Sequence, residues 1–179
     1  MGFLILIFGF LLGFFSYIPV RRAFAAFSRT RAERTLQEWK GNPLPQGGIS
    51  DKTGNIWIPA EENGKVRVLV FWSPTCRFCL DELGNLNVLQ KKYGGRPDFI
   101  LAGVLRQRDI ELASWICEKR QVNWNQFFEL DSKAPDSLSS QLGIRRIPSI
   151  WIVGQDNKIN AAQVSVDEVS TILKGLLNY

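Results

Sequence analysis

The chain has 179 residues, which is enough for one domain of ordinary size and an additional segment. Its formal net charge of +5 comes partly from arginines beside an apolar N-terminus, so the composition does not indicate a nucleic-acid-binding protein. The absence of histidine removes the commonest metal ligand and excludes any Ser–His or Cys–His catalytic pair.

Residues 1–20 are predicted to form a membrane anchor. No charged side chain occurs in residues 2–20, and about 20 apolar residues are needed to cross the roughly 30 Å hydrocarbon layer. A cleaved signal peptide is the alternative, because Ala23-Phe24-Ala25 has the A-x-A form of a cleavage site. We favour the uncleaved anchor, since no basic residue precedes the apolar run and Arg21 and Arg22 separate it from that site.

Residues 21–46 are predicted to be a basic juxtamembrane segment and a linker. Arginines are mixed with apolar residues up to Trp39, which fits a helix lying on anionic headgroups and fits a solvated helical spacer equally well. Glycines and prolines in residues 41–48 indicate a linker into a domain that spans residues 47–179. Because the arginines follow the apolar run, the positive-inside rule taken alone places that domain in the cytoplasm.

Strands and helices alternate through this domain. A hairpin is predicted at 49–59, and the further predicted strands are 66–72, 99–105, 127–130, 150–153 and 160–164. The predicted helices begin near Cys76, Asp109, Pro135 and Ser165, where Ser165 and Glu168 form a capping box. This order predicts an α/β sandwich whose central mixed sheet is flanked by helices, with parallel strands early and antiparallel strands late.

The three cysteines are too few for a disulfide scaffold, but Cys76 and Cys79 have C-x-x-C spacing. Such a pair is half of a zinc site or a redox centre. A zinc site needs two more ligands, and only Cys117 and carboxylates are available, so we favour the redox centre. Cys117 shares a helix face with Ala113 and Ile116 and is predicted to be a core residue rather than a catalytic one.

Cys76 is the predicted nucleophile, and Cys79 is the predicted resolving thiol. Residues i and i+3 share a helix face, so the two sulfurs can reach the Cα separation of about 5–6 Å that a disulfide requires. Cys76 falls where a strand stops and a helix begins, and there the helix dipole favours a thiolate. Arg77 adds a positive charge, which is predicted to lower the pKa of the Cys76 thiol, as the helix dipole does. Two purely structural thiols are the alternative.

Two segments resemble the signatures of thioredoxins. The sequence VLVFWSPTCRFC at residues 68–79 resembles their active-site strand and turn, and GIRRIPS at residues 143–149 resembles the loop whose proline is cis in that family. The anchor, the early hairpin and an extra strand–helix unit at 98–122 resemble the membrane-anchored TlpA/ResA-like reductases, including MauD-type proteins. The resemblance implies a thioredoxin-like sandwich preceded by one transmembrane helix, and thiol–disulfide exchange as its activity.

The resemblance also implies roles for individual residues. Pro148 would pack against the disulfide, and the Ile147 backbone would pair with an extended substrate chain. Glu82 occupies the position of a glutamate near the active site of TlpA/ResA-like proteins, where it would exchange a proton with Cys79. A solvated glutamate on the helix surface is the alternative for Glu82.

Trp72 is expected to be a packing residue beside the site, and Trp72 and Phe78 are candidate substrate contacts. Phe78 replaces a proline usual in the family, and because the residues between the cysteines influence the reduction potential, the direction of electron flow stays open. The implied partners are protein disulfides or dithiols, a membrane electron donor, and lipid around the N-terminal helix, with no nucleic acid, metal or organic cofactor.

Such proteins work outside the cytoplasmic membrane, and we adopt that location for the domain in spite of the arginines. The alternative function is a non-catalytic docking or chaperone module of thioredoxin fold in a membrane-bound assembly.

Overall fold

One seven-stranded sheet forms the centre of residues 38–177. The computed structural model describes residues 38–177, so the predicted anchor and most of the basic segment lie outside the described residues. The strands are β1 (Ile49–Ser50), β2 (Ile56–Trp57), β3 (Val66–Phe71), β4 (Phe99–Arg106), β5 (Asn125–Glu129), β6 (Ser149–Val153) and β7 (Ile159–Val164). Their order in the sheet is β2-β1-β5-β4-β3-β6-β7. The α-helices are α1 (Arg77–Tyr93), α2 (Ile110–Lys119), α3 (Leu138–Gln141) and α4 (Val166–Leu176). Within residues 38–177, no helix has both the length and the apolar character needed to cross a bilayer.

The sheet is mixed, as predicted. The neighbours β3 and β4 pair in parallel, as do β4 and β5, whereas β6 pairs antiparallel with both β3 and β7. The predicted early hairpin is present as the antiparallel pair β1–β2. All six residues of β3 are buried at the centre of the sheet, which explains why this strand reads as a nearly continuous apolar run.

Local signals locate the ends of the long helices. In α4, the predicted capping box is confirmed, because the Ser165 side chain accepts from the Glu168 amide and the Glu168 carboxylate accepts from the Ser165 amide. Leu83, Leu86 and Leu89 are buried on one side of α1, and Gly94 follows its last residue. Cys117 is buried on α2 and is not disulfide-bonded, which agrees with its prediction as a core residue.

The predicted helix at 135–142 is longer than the one observed. Helix α3 begins only at Leu138, because the Ser137 side chain accepts from the Ser140 amide and caps the helix there. The Glu129 carboxylate accepts a second bond in this turn, from the Ser139 amide at 2.8 Å. Leu130, predicted within the preceding strand, lies beyond its end and is 84% exposed.

Residues 39–177 belong to one compact unit. Its first residues, which include part of the predicted linker, bind the β6–β7 hairpin: the Gly41 amide donates to Ile159 O at 2.8 Å, and the Leu44 amide donates to Asn157 O at 3.0 Å. The Trp39 ring packs edge-on against Trp151, with ring centroids 5.8 Å apart. This stretch is therefore attached to the domain by backbone hydrogen bonds and an aromatic contact.

Arg67 is a fully buried charged residue within β3. Its guanidinium donates to Pro59 O at 2.6 Å, to Gly154 O at 2.5 Å and to Asn157 Oδ1 at 3.0 Å. Removal from water disfavours the charged form and lowers the pKa of Arg67. The three bonds connect the start of β3 to the turn before it and to the turn between β6 and β7.

Candidate active site

Cys76 is the N-cap residue of α1, directly after the turn that ends β3. The turn is closed by the Cys76 amide, which donates to Ser73 O at 3.1 Å. The Cys76 backbone is extended (φ −92°, ψ 107°), and its Sγ accepts from the Cys79 amide at 3.3 Å. The sulfur therefore sits at the positive end of the helix dipole, which stabilises negative charge.

Cys79 lies one turn into α1 and is disulfide-bonded to Cys76, with a Cα–Cα distance of 5.2 Å. This confirms that the pair is at disulfide distance. The two sulfurs differ in access: Cys76 is partly exposed at the helix end, whereas Cys79 is only 2% exposed. An incoming thiol or disulfide therefore reaches Cys76 first.

The second signature segment lies against the first. The peptide bond between Ile147 and Pro148 is cis, and Cys76 Sγ is 3.8 Å from Ile147 O. The sheet produces this juxtaposition, because β6 begins immediately after Pro148 and its first residue, Ser149, pairs with Phe71 at the end of β3. Ile147 is 40% exposed, so its backbone is next to both the disulfide and solvent.

The other predicted site residues differ in their exposure to solvent and in their hydrogen-bond partners. Phe78 is 74% exposed, and Arg77 is also exposed. Trp72 is buried beneath the turn, and its Nε1 donates to Gln126 Oε1 at 3.0 Å. Glu82 is half-buried on α1, and within the described chain its hydrogen-bond partner is Asn85, at 3.0 Å, rather than Cys79.

A cavity of about 330 Å³ opens beside the disulfide, and sequence reasoning missed most of its lining. It extends from Thr75 and Ile147 to Arg106 and Glu129, at the ends of β4 and β5. The sequence carried one signal for this lining: Arg106 follows a predicted strand, and Glu129 lies near the end of another. The carboxyl ends of parallel strands meet at one edge of the sheet, where ligands usually bind.

Glu129 is a buried carboxylate on the wall of this cavity, only 4% exposed. Burial raises the pKa of Glu129, although hydrogen bonds donated by the Ser139 amide and hydroxyl act in the opposite direction. Among residues 38–177, no cluster of three or more Cys, Asp or Glu side chains has the arrangement of a metal site.

These features define a thioredoxin-like α/β fold with a mixed central sheet and a C-x-x-C disulfide at a helix N-terminus. Among the solved structures that it resembles is the thioredoxin domain of a thiol–disulfide oxidoreductase from Bacteroides vulgatus, with a TM-score of 0.67 and 25% identity over 76% of this chain and 97% of that chain. A thiol:disulfide interchange protein from Bacteroides sp. has a TM-score of 0.64 and 25% identity, covering 78% of this chain and 91% of its own.

A thiol–disulfide oxidoreductase from Bacteroides fragilis has the same fold, with a TM-score of 0.67 and 20% identity over 75% of this chain and 99% of that one. No family model matches the sequence, and no curated protein matches it. The shared fold and the Cys76–Cys79 disulfide together support an oxidoreductase.

Proposed function

We propose that this oxidoreductase reduces disulfide bonds in protein substrates, with Cys76 as nucleophile and Cys79 as resolving thiol. The observation that carries the proposal is the unequal access of the two sulfurs: Cys76 is partly exposed at the N-terminus of α1, and Cys79 is buried one turn further on. This arrangement stabilises a thiolate where a substrate can reach it and protects the second thiol.

The reaction consists of two exchange steps. In the first step, the Cys76 thiolate attacks one sulfur of the substrate disulfide, so that a mixed disulfide forms and one substrate thiolate leaves. In the second step, the Cys79 thiolate attacks Cys76 Sγ and releases the second substrate thiolate. The substrate gains two electrons, and the protein is left with the Cys76–Cys79 disulfide. A dithiol electron donor then returns the pair to the reduced state.

The residues around the pair have supporting roles in this proposal. The exposed backbone of Ile147, beside Pro148, pairs with the extended substrate segment next to its cysteine, and Phe78 adds an apolar contact. Arg77 favours the thiolate of Cys76. Glu82, whose carboxylate accepts a hydrogen bond from Asn85, serves as proton acceptor for Cys79.

We further propose that residues 1–20 anchor the protein in the cytoplasmic membrane and that the domain faces the extracytoplasmic side, as in the TlpA/ResA-like proteins it resembles. A membrane electron donor on the same membrane would then reduce the pair. Labelling of single introduced cysteines with a membrane-impermeant reagent in intact cells tests the orientation, and labelling only after lysis would place the domain in the cytoplasm.

Insulin reduction by the full-length chain, purified in a mild nonionic detergent, tests the activity. Cys76→Ser should abolish turnover, and Cys79→Ser should accumulate a mixed disulfide through Cys76 that a non-reducing gel detects. Cys117→Ser is the matched control and should retain turnover, because Cys117 is buried on α2. An inactive wild-type protein whose double-cysteine variant still complements a gene deletion would instead indicate the docking module.

The reduction potential decides the direction of electron flow. A value near the thioredoxin scale of about −270 mV is expected for a reductant, whereas a value near about −120 mV would indicate an oxidant.

A further inference from the structure

A basic groove runs away from the disulfide along one edge of the sheet. It consists of the cavity beside Cys76 and an adjoining cavity of about 250 Å³, which share Arg106, Arg108, Ser132 and Lys133 in their linings. Arg145 lines the part of the groove nearest the cis peptide bond. We call these combined cavities the basic groove.

The fold assembles the groove from segments that are distant in sequence. Because β3, β4 and β5 are parallel neighbours, the residues that follow each strand meet at the same edge of the sheet. Arg106 ends β4, directly opposite Glu129 at the end of β5. Lys133 comes from the loop after β5, and Arg145 comes from the loop before β6. The carboxyl edge of parallel strands is where α/β proteins usually bind their ligands.

The charge of the groove is predominantly positive. Arg106, Arg108, Lys133 and Arg145 are all exposed. Arg108 lies 3.6 Å from an Asp109 oxygen, but within the described residues no carboxylate forms an ion pair with the other three.

Two carboxylates also line the groove and offset part of its positive charge, and the charge of Arg106 counters the rise in the pKa of Glu129. Glu129 is buried and accepts hydrogen bonds from Ser139. Asp131, at the outer part of the groove, accepts from the Lys133 backbone amide at 2.9 Å. Four cationic side chains therefore outnumber the acidic ones along the lining.

We propose that the basic groove binds an acidic segment of the substrate, next to the cysteine that reacts with Cys76. The inference rests on the proposed function and adds a substrate class to it. The groove begins at Thr75 and Ile147, which adjoin Cys76, so a mixed disulfide on Cys76 places the neighbouring substrate residues over the groove. Arginine guanidinium groups bind carboxylates in bidentate fashion, and a cluster of one sign of charge raises the rate of encounter with an oppositely charged partner.

Three disulfide-bonded peptides of equal length test the proposal. Their cysteines are flanked by Asp and Glu, by Ser and Gln, or by Lys, and each reacts with the reduced full-length chain in nonionic detergent. At low ionic strength the acidic peptide should react about tenfold faster than the neutral one, and the Lys peptide should be slowest. Near 0.5 M salt the preference should fall to about twofold or less, because screening shortens the range of the charges.

A variant in which Arg106, Arg108, Lys133 and Arg145 are all changed to Gln should lose the preference for the acidic peptide while reacting normally with the neutral one. The control changes four exposed lysines outside the groove, Lys52, Lys91, Lys119 and Lys174, to Gln, which removes the same net charge. This control should keep the preference.

Equal rates of the wild-type protein with the acidic and neutral peptides at low ionic strength would overturn the inference, and so would an equal loss of preference in the control variant. These outcomes differ from failure of the proposed function itself, in which none of the three peptides would react. The wild-type salt dependence is informative even if the fourfold variant does not fold.

Discussion

Gly103→Ala should disrupt the hydrogen bond beneath the active-site turn. Gly103 lies in β4 opposite Gln126 of β5, and Trp72 Nε1 donates to Gln126 Oε1 across this position. A Cβ atom on residue 103 would overlap Gln126 Oε1 and would lie 2.8 Å from Trp72 Nε1. Because these contacts are too short, the Gln126 carboxamide must move away, and the buried indole N–H loses its partner.

The size of the effect follows from three contributions. An unsatisfied buried donor costs about 1–3 kcal/mol, and overpacking a filled site costs a further ~1–3 kcal/mol. The higher strand propensity of Ala offsets about 0.5–1 kcal/mol of this. We therefore expect the free energy of unfolding to fall by about 3 kcal/mol, measured by urea denaturation followed by circular dichroism.

Two further variants make the test specific. Gly84→Ala is the control, because a Cβ atom at this exposed position on α1 meets no atom within 4 Å, and it should stabilise the protein by up to about 1 kcal/mol. In a Gln126→Ala background, Gly103→Ala should cost clearly less, since the carboxamide that it displaces is gone. An unfolding free energy of Gly103→Ala within about 0.5 kcal/mol of wild type would refute the reasoning.

Three other predictions use buried polar groups. Arg67→Met should lower the unfolding free energy by about 2–4 kcal/mol in urea denaturation, because three charge-assisted hydrogen bonds are lost while the cost of burying the charge is recovered. Burial raises the pKa of Cys117 to about 11, so iodoacetamide at pH 8 should modify Cys76 of the reduced protein and reach Cys117 only after denaturation, as mass spectrometry would detect. Burial raises the pKa of Glu129, so the native state binds the carboxyl proton more tightly than the unfolded state does. The resulting stabilisation is present in full below the pKa that Glu129 has in the unfolded state, and it is lost as pH rises through the pKa that Glu129 has in the native state. Relative to Glu129→Gln, the wild-type protein should gain unfolding free energy as pH is lowered from 7 towards about 4.5, and an unchanged difference across that range would contradict the prediction.

The predictable parts of the fold are those with local signals. The apolar run of β3, the leucine spacing of α1 and the Ser165–Glu168 capping box each depend on residues within a few positions of one another, and all three agree with the structure. The predicted start of the short helix before the cis-proline loop was wrong, because the Ser137 cap and the distant Glu129 carboxylate decide where α3 begins. No local pattern around Leu138 predicts the hydrogen bond between the Ser139 amide and Glu129.

The candidate site also has features that the sequence predicts and features that depend on the tertiary structure. The sequence by itself determined the cysteine pair and its position at the start of a helix, because a spacing of three residues and a strand-to-helix break are local properties. Only the tertiary structure decided that Cys76 Sγ lies 3.8 Å from Ile147 O, 71 residues away, and that cations from three separate segments line one groove beside it. These arrangements depend on which strands pair and in which register, and pairing is set by burial across the whole sheet rather than by any short stretch of chain.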